Sequence, residues 1–334
     1  MVKVGLIGFG KLGRIHAKSI NSSAYGDLVS VCDTNTEKLS EAKEKYNVQT
    51  YLDINEFLAS DIEAVVIASS TPMHLRHISL AAIAKKSIFT EKPVGLSLAE
   101  TDNALAKVVK AGVKFQIGFQ RRWDSDYLAM KQAIDSGSLG RPVLFKAYGR
   151  DPNASNPQNW GLDKNGGLFL NAAIHDYDTA RFILDSEVSK VSAVGATLVH
   201  HGLIKFDDID TCNTTLFMKN GTLAITECSR YASYGYDVAA EVICERGRIE
   251  IGAMKSNRLT IYKENEKAAS VYEIFKNAYE NEINAFLRAV QEDAPTSPDI
   301  ADARAALQIA LAARESFTEQ GRKIILSALL PLVS

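Results

Sequence analysis

This sequence has few cysteines, a small net charge and few long hydrophobic runs. The four cysteines (Cys32, Cys212, Cys228, Cys244) lie far apart in strand-like runs without CxxC spacing. This disfavours disulfides or a metal cluster and favours reduced, buried thiols in a cytoplasmic protein. A formal net charge of −2 without a lysine or arginine block argues against a nucleic-acid partner. The short N-terminal apolar run is broken by glycine, so it predicts neither a signal peptide nor a membrane span.

The first residues carry the strongest pattern in the chain. An apolar run over residues 2–7 predicts a buried strand, which is followed by a G-x-G-x-x-G turn at Gly8, Gly10 and Gly13 and by apolar residues at helical spacing. Strand, turn and helix together form the dinucleotide-binding fingerprint, in which the helix N-terminus faces the phosphates. A glycine-rich turn without a ligand is the alternative, and a second feature argues against it.

That second feature is Asp33, which ends the next apolar run about twenty residues after Gly13, where a carboxylate would bind the adenosine ribose diol. Thr34 and Asn35 follow, and no arginine is placed to neutralise a 2′-phosphate. The sequence therefore predicts bound NAD in preference to NADP.

Strand and helix patterns alternate through residues 1–118, which predicts a doubly wound parallel sheet of the Rossmann type. Polar residues follow three of the predicted strands, at 69–71, 91–93 and 118–122. Ligands lie beyond the carboxyl ends of strands in such sheets, so these three groups are expected to line one crevice.

The pattern changes after Trp123 and becomes rich in strands beyond Val188. Runs over 211–218, 223–229, 238–244, 248–251 and 259–262, with hairpin turns between several of them, predict a large, mostly antiparallel open sheet in an α+β domain. Two amphipathic helices, over 278–291 and 300–320, close the chain. We predict an NAD-binding domain over 1–120 and a substrate-binding and oligomerisation domain over 121–334.

Lys92 is the first candidate for chemistry. It follows a strand and precedes Pro93, whose peptide bond is a candidate for the cis form. Beside a nicotinamide, its ammonium could stabilise the charge that develops on a substrate oxygen. The alternative is a solvated surface lysine.

His175 and Asn171 are the other candidates, four residues apart in a predicted helix from about Leu168 to Leu184, and therefore expected on one helix face. An imidazole can accept a hydroxyl proton near neutral pH. Taken alone, a helical histidine is more often a core residue. The pair His200–His201 and the acids Asp207, Asp208 and Asp210 lack metal-ligand spacing, so we interpret them as loop and strand-end residues and predict no metal site.

Four segments together resemble the glucose–fructose oxidoreductase, inositol dehydrogenase and rhizopine-catabolism family (Gfo/Idh/MocA), over nearly the whole chain. They are the glycine turn, Glu91-Lys92-Pro93, the segment 118–124 and the segment 174–178. Arg150-Asp151-Pro152 and the segments 229–231 and 234–237 look most like the inositol 2-dehydrogenase branch. The resemblance implies NAD-dependent oxidation of one ring hydroxyl of an inositol, with Lys92 binding substrate and cofactor and His175 as general base. It also implies a homo-oligomer, a dimer or tetramer, assembled through the open sheet.

The predicted site is assigned residue by residue. The expected catalytic residues are Lys92, His175 and Asn171. Cofactor contacts are predicted at Gly8, Phe9, Gly10, Lys11, Leu12, Gly13, Asp33, Thr34, Ser69, Ser70, Thr71, His74, Glu91, Lys92 and Gln120. Substrate contacts are predicted at Lys92, Arg122, Asp151, Asn171, His175 and Tyr236.

One residue departs from the family pattern: Asn171 stands where the family typically has aspartate. Asparagine can hydrogen-bond a hydroxyl but brings no charge to support an imidazolium, so His175 should be a weaker base. The sequence favours an NAD-dependent dehydrogenase of myo- or scyllo-inositol. A dehydrogenase of an aldose or another cyclic polyol and a non-catalytic, NAD-binding regulator stay open as alternatives.

Overall fold

The computed structural model describes residues 1–152, 161–252 and 270–332, without the side chain of residue 163. Its contacts group into two compact units, each treated by itself below. The first comprises Met1–Trp123, Asn277–Ala305 and Leu329–Ser334, and the second comprises Asp124–Lys276 and Ala306–Ala328.

The first unit contains a six-stranded parallel sheet, as predicted. Its strands are β1 (Val2–Ile7), β2 (Gly26–Cys32), β3 (Gln49–Tyr51), β4 (Ala64–Ile67), β5 (Ser87–Glu91) and β6 (Phe115–Gly118). Their order is β3-β2-β1-β4-β5-β6, which is the Rossmann order with the strand sequence reversing between β1 and β4. β4 is buried at every position, which explains why it reads as a continuous apolar run.

Five helices connect these strands: α1 (Lys11–Asn21), α2 (Thr36–Tyr46), α3 (Ile54–Ala59), α4 (His74–Ile83) and α5 (Leu98–Ala111). Three begin at side-chain caps, because Asn35, Asp53 and Ser97 accept backbone N–H bonds from the first turns of α2, α3 and α5. Short 3₁₀ turns at Thr71–Met73 and Gln120–Trp123 follow β4 and β6.

A late helix, α10 (Lys276–Gln291), joins the first unit from Asn277 onwards. Its Ile283, Phe286 and Leu287 pack in one core cluster with Val4 and Phe89 of the sheet. The sequence division had placed all of 121–334 in the second domain. A boundary drawn from local pattern cannot detect an amphipathic helix whose apolar face packs on a sheet formed much earlier in the chain.

The second unit contains a seven-stranded mixed sheet, mostly antiparallel as predicted. Its strands are β7 (Pro142–Arg150), β8 (Val188–Ala196), β9 (Thr211–Met218), β10 (Leu223–Ser229), β11 (Asp237–Cys244), β12 (Gly247–Ile251) and β13 (Ile324–Ile325). The order is β12-β11-β7-β10-β9-β8-β13, and only β7 and β10 pair in parallel. β9 buries alternate residues, namely Cys212, Thr214, Leu216 and Met218. The strand predicted over 259–262 lies outside the described residues.

The second unit also contains the helices α6 (Ser125–Asp135), α7 (Leu162–Asn165), α8 (Ile174–Leu184), α9 (Val271–Ile274) and the later part of α11 (Ile300–Thr318). Of these, α8 packs against β7 and β10, and α6 packs against β12. A π-helical segment at Phe169–Ala173 directly precedes α8, where the sequence predicted an ordinary α-helix. Tyr177 of α8 is fully buried and its hydroxyl lies 2.9 Å from Thr214 Oγ1 in β9. None of the described helices is both long and apolar enough to cross a membrane.

Candidate active site

The glycine turn between β1 and α1 has space for a ligand at one position only. Gly8 has φ +91°, and a Cβ there would lie 2.8 Å from the Ala68 carbonyl oxygen. A Cβ on Gly13 would lie 2.0 Å from the Gly8 oxygen, so this glycine allows helix and turn to touch. A Cβ on Gly10 would meet nothing within 4 Å, and Gly10 caps α1 without a side-chain hydrogen bond. The turn therefore fits a diphosphate beside Gly10 and the N-terminal N–H groups of α1.

Replacing Gly10 with valine should weaken NAD binding without unfolding the protein. The backbone of Gly10 (φ −77°, ψ −162°) is open to any L-residue, and a Cβ there meets nothing within 4 Å, so the added side chain is expected to take the space that a diphosphate needs. We expect the dissociation constant for NAD to rise about 100-fold, equal to about 2.7 kcal/mol, with little change in melting temperature. Gly202→Val is the matched control, because a Cβ there also meets nothing within 4 Å. Tight NAD binding by the Gly10 variant, measured by calorimetry, would contradict this phosphate site.

Asp33 follows β2, and its carboxylate faces the glycine turn. One oxygen accepts the N–H of Phe9 at 2.7 Å and the other accepts the N–H of Asn35 at 2.9 Å, while Lys38 Nζ lies 3.7 Å away. The sequence indicated a ribose ligand here but not the bond to Phe9, by which the same carboxylate holds the turn in shape. Thr34 follows Asp33 directly, and Lys11 and Leu12 form the first turn of α1.

A network of two histidines joins the ends of β4 and β5. His77 Nδ1 lies 2.9 Å from Ser69 Oγ, and burial lowers the pKa of His77 to about 4, so its ring is neutral at pH 7. The two ring nitrogens of His74 lie 2.9 Å from the Pro93 carbonyl oxygen and 3.0 Å from that of Ser69. Burial lowers the pKa of His74 as well. His74 thus ties the segment after Lys92 to Ser69, next to Ser70 and Thr71 in the following 3₁₀ turn.

Lys92 lies at the carboxyl end of β5, half-buried, and its peptide bond to Pro93 is cis. The Lys92 N–H donates to Glu91 Oε2 at 3.2 Å, and Glu91 Oε1 lies 2.7 Å from His16 Nε2 of α1. Gln120 is buried in the 3₁₀ turn after β6. Arg122 of the same turn forms a two-point ion pair with Asp302 at 2.9 and 3.3 Å, so any contact with substrate would have to accommodate this pair.

All the strand-end groups predicted in the first unit therefore lie at one edge of its sheet. The glycine turn, Asp33, 69–71, 91–93 and 118–122 follow β1, β2, β4, β5 and β6, and these strands are parallel neighbours. The structure therefore places these groups at the same edge of one sheet, whereas a crevice that they share and the ligand contacts of each residue stay predictions.

In the second unit, Asn171 lies in the π-helical segment and His175 in the first turn of α8, both half-buried. The Thr179 hydroxyl donates to the His175 carbonyl oxygen at 2.6 Å, one turn further along. π-Helical segments are uncommon and frequently occur at functional sites. Lys92 belongs to the first unit and His175 to the second, so the meeting of their side chains over one substrate stays a prediction.

Asp151 and Tyr236 lie at one end of the second sheet. Asp151 directly follows β7 and its N–H donates to the Ser229 carbonyl at 2.9 Å, while Tyr236 directly precedes β11. Sequence analysis missed the ion pairs at this end, where Arg150 binds Glu227 at 2.8 Å and Asp237 at 3.1 Å. These pairs bridge strands that are distant in the chain and leave no local signal. Part of the 151–166 loop lies outside the described residues.

The acids at 208 and 210 have structural partners in the second unit. Burial opposes ionisation of Asp210, but N–H donors from Leu198, His200 and Val199 lower its pKa below the usual value. Asp208 pairs with the buried Arg230 at 2.5 Å. Loop and strand-end roles, as predicted, account for both residues.

Comparisons with known proteins cover nearly the whole chain. Residues 2–119 match the profile of an oxidoreductase family with an NAD-binding Rossmann fold, and residues 127–250 match the GFO/IDH/MocA C-terminal domain. The myo-inositol 2-dehydrogenase of Thermotoga maritima is 33% identical over 96% of this chain and 97% of its own. The scyllo-inositol 2-dehydrogenase (NAD(+)) of Bacillus subtilis is 34% identical over 95% and 94%.

A solved structure is also similar to this chain over nearly its whole length. The scyllo-inositol dehydrogenase of Lactobacillus casei, determined with bound NAD(H) and scyllo-inositol, superposes with a TM-score of 0.86 at 28% identity. The match covers 97% of this chain and 99% of that chain.

Proposed function

Because the chain belongs to the Gfo/Idh/MocA family of NAD-binding oxidoreductases, we propose that it oxidises a ring hydroxyl of myo- or scyllo-inositol to the inosose. One observation carries the choice of substrate: enzymes named for inositol are 33–34% identical over at least 94% of both chains. A fold alone would not indicate a substrate, whereas similarity over the whole length extends to the segments that would contact it.

We propose separate roles for three side chains. NAD, when bound beside the glycine turn, supplies the acceptor for the hydride. Lys92 donates a hydrogen bond to the reacting hydroxyl and stabilises negative charge on its oxygen. His175 accepts the proton of that hydroxyl. Asn171 hydrogen-bonds a neighbouring hydroxyl and orients the ring, but as a neutral amide it adds no negative charge near the imidazole.

The remaining predicted contacts are with the ribose of NAD and with the substrate. Asp33 is proposed to bind the ribose diol of NAD with the lone pairs that Phe9 and Asn35 leave available. Arg122, Asp151 and Tyr236 are proposed to contact the substrate.

The proposal is tested by measuring NADH production by the purified protein with a panel of inositols, other cyclic polyols and aldoses. Myo- or scyllo-inositol should give the highest kcat/KM, and NADP should be a poor replacement for NAD, since Asp33 would repel a 2′-phosphate. A higher kcat/KM with an aldose would transfer the assignment to that sugar class. If the protein binds NAD but oxidises no member of the panel, a non-catalytic regulator would become the favoured function.

We also propose a cytoplasmic homotetramer. All four cysteines are buried and free, as suits a reducing compartment. The open sheet of the second unit exposes Val194, Leu223 and Ile225, which are apolar and more than a third accessible. Such a face is typical of a subunit contact. Light scattering of the purified chain gives the number of copies directly.

A further inference from the structure

Three ionisable side chains meet in the interior of the first unit, directly behind Lys92. They are His16 of α1, Glu91 at the end of β5 and Glu282 of α10, which are 0%, 6% and 0% exposed. One nitrogen or oxygen atom from each lies within 4.8 Å of the others. Aromatic rings surround the group, since His16 packs edge-on against Phe89 and Tyr279 with ring centroids 5.3 and 6.2 Å apart.

The two carboxyl groups have very different partners. Both oxygens of Glu91 have partners: Oε1 lies 2.7 Å from His16 Nε2, and Oε2 accepts the Lys92 N–H at 3.2 Å. Neither side-chain oxygen of Glu282 has a hydrogen-bond partner among the described residues. The nearby amide of Gln116 donates to the backbone carbonyl of Glu282, not to its carboxyl group. Any donor in this cluster therefore stabilises a charge on Glu91 and none stabilises a charge on Glu282.

Two ionised carboxylates this close in a dry interior would repel strongly, and an unpaired buried charge costs several kcal/mol. Either a proton or a cation must neutralise one of them. The separation of His16 and Glu91 favours a proton, because 2.7 Å is a hydrogen-bond distance. Ligand atoms about 2.0–2.2 Å from a shared zinc ion would stand roughly 3.3 Å apart. Burial, and secondarily the charge of Glu91, raises the pKa of Glu282 well above its usual value.

We propose that Glu282 is a protonated positioning residue, whose neutral carboxyl group lets Glu91 stay ionised between His16 and the Lys92 amide. Glu282 touches neither substrate nor cofactor in this scheme and acts through Glu91 on the backbone of Lys92. The inference rests on the proposed dehydrogenase activity for its kinetic consequence, while the state of the proton is independent of any substrate.

Loss of the Glu282 proton at alkaline pH would place a second negative charge beside Glu91. Among the described residues, the ionisable side chains that meet Glu282 are Glu91 from β5 and His16 from α1, and Tyr279 of the same helix as Glu282 packs against His16. The repulsion would weaken the hydrogen bond that holds Lys92 and so lower kcat more than it changes KM for the polyol.

Glu282→Gln tests this, because glutamine has the shape of a protonated glutamate and cannot ionise. We expect kcat and KM within about twofold of the wild type at pH 7. At alkaline pH, kcat of the wild type should fall by up to about tenfold per pH unit as Glu282 loses its proton, and kcat of the variant should not show this fall. Any loss of kcat with another cause should be the same in both proteins. The infrared carbonyl band of a buried carboxylic acid should be present in the wild type at pH 7 and weaker by one group in the variant. Glu292→Gln, an exposed change near the end of the same helix, is the matched control.

Three results would each overturn the proposal. They are an infrared spectrum unchanged by Glu282→Gln, a loss of more than about tenfold in kcat/KM for that variant at pH 7, and a stoichiometric divalent cation in the wild type that the variant lacks. If the variant folds poorly, absence of the carboxylic-acid band from the wild-type spectrum at pH 7 overturns the proposal as well. The infrared measurement does not depend on the substrate. A failure of the inositol assignment would appear only in the polyol assay, so the two failures can be distinguished.

Discussion

Lys92→Ala is expected to lower kcat about 10³-fold on the preferred polyol while NAD still binds. The ammonium is proposed to stabilise charge that develops on the substrate oxygen, and removing one such preorganised donor typically costs 10²–10³ in rate, more where the donor is charged. Affinity for NAD should fall much less than kcat, since the glycine turn and Asp33, which are predicted to hold the diphosphate and the ribose, follow other strands. Steady-state assays of NADH production and calorimetry with NAD measure the two effects separately.

Lys110→Ala is the control for this variant, because Lys110 is an exposed residue near the end of α5. It should retain full activity. A Lys92→Ala variant with more than a tenth of the wild-type kcat would remove Lys92 from the chemistry. If the wild type itself binds NAD but turns over no polyol, Lys92→Ala would have nothing to abolish, and a regulatory role would be favoured.

The first unit is the part of the fold that the sequence predicts best. Its central strand β4 is buried at every position and reads as an uninterrupted apolar run, and the glycines of 8–13 occupy positions that only glycine can fill without a clash or that a ligand needs empty. Such constraints act within a few residues and are therefore visible in the local pattern. The alternation of buried residues along β9 is a local pattern of the same kind.

Features that depend on distant residues, such as the packing of a predicted helix, could not be predicted. α10 joins the first unit because Phe286 and Leu287 fit a sheet formed some two hundred residues earlier, and a Cβ on Gly26 would lie only 2.6 Å from Leu287. The two-residue strand β13 exists only because β8 pairs with it. The π-helical segment around Asn171 has no composition that distinguishes it from an α-helix.

In the candidate site, too, the local features could be predicted from the sequence and the contacts between distant residues could not. Strand-end residues such as Asp33 and Lys92 could be identified because the order of strands and turns places them at one edge. The hydrogen-bond partners of the strand-end residues could not be identified from the sequence. The bond between Asp33 and Phe9 and the bond between Glu91 and His16 each join residues on separate elements. Glu282 gave no signal at all, because one glutamate in an amphipathic helix normally faces solvent.

His175→Asn should lower kcat by about 10²–10³-fold at pH 7, because the general base of the proposed reaction is lost while a polar side chain still occupies the site. Loss of a base is less harmful where hydroxide is more abundant, so the deficit should shrink as pH rises. KM for the polyol should change by much less than kcat. His201→Asn, in the exposed 3₁₀ turn of the same unit, is the control and should leave activity intact. A pH-independent deficit would indicate that His175 binds substrate without accepting its proton.

Asn171→Asp shows whether the two helical residues work together. A carboxylate about one helical turn before His175 would stabilise the imidazolium and strengthen the base, raising kcat up to about tenfold at pH 7. In the His175→Asn background the same substitution should give no gain, because the group that it supports is missing. An equal gain in both backgrounds would mean that residue 171 acts on the substrate directly and not through His175.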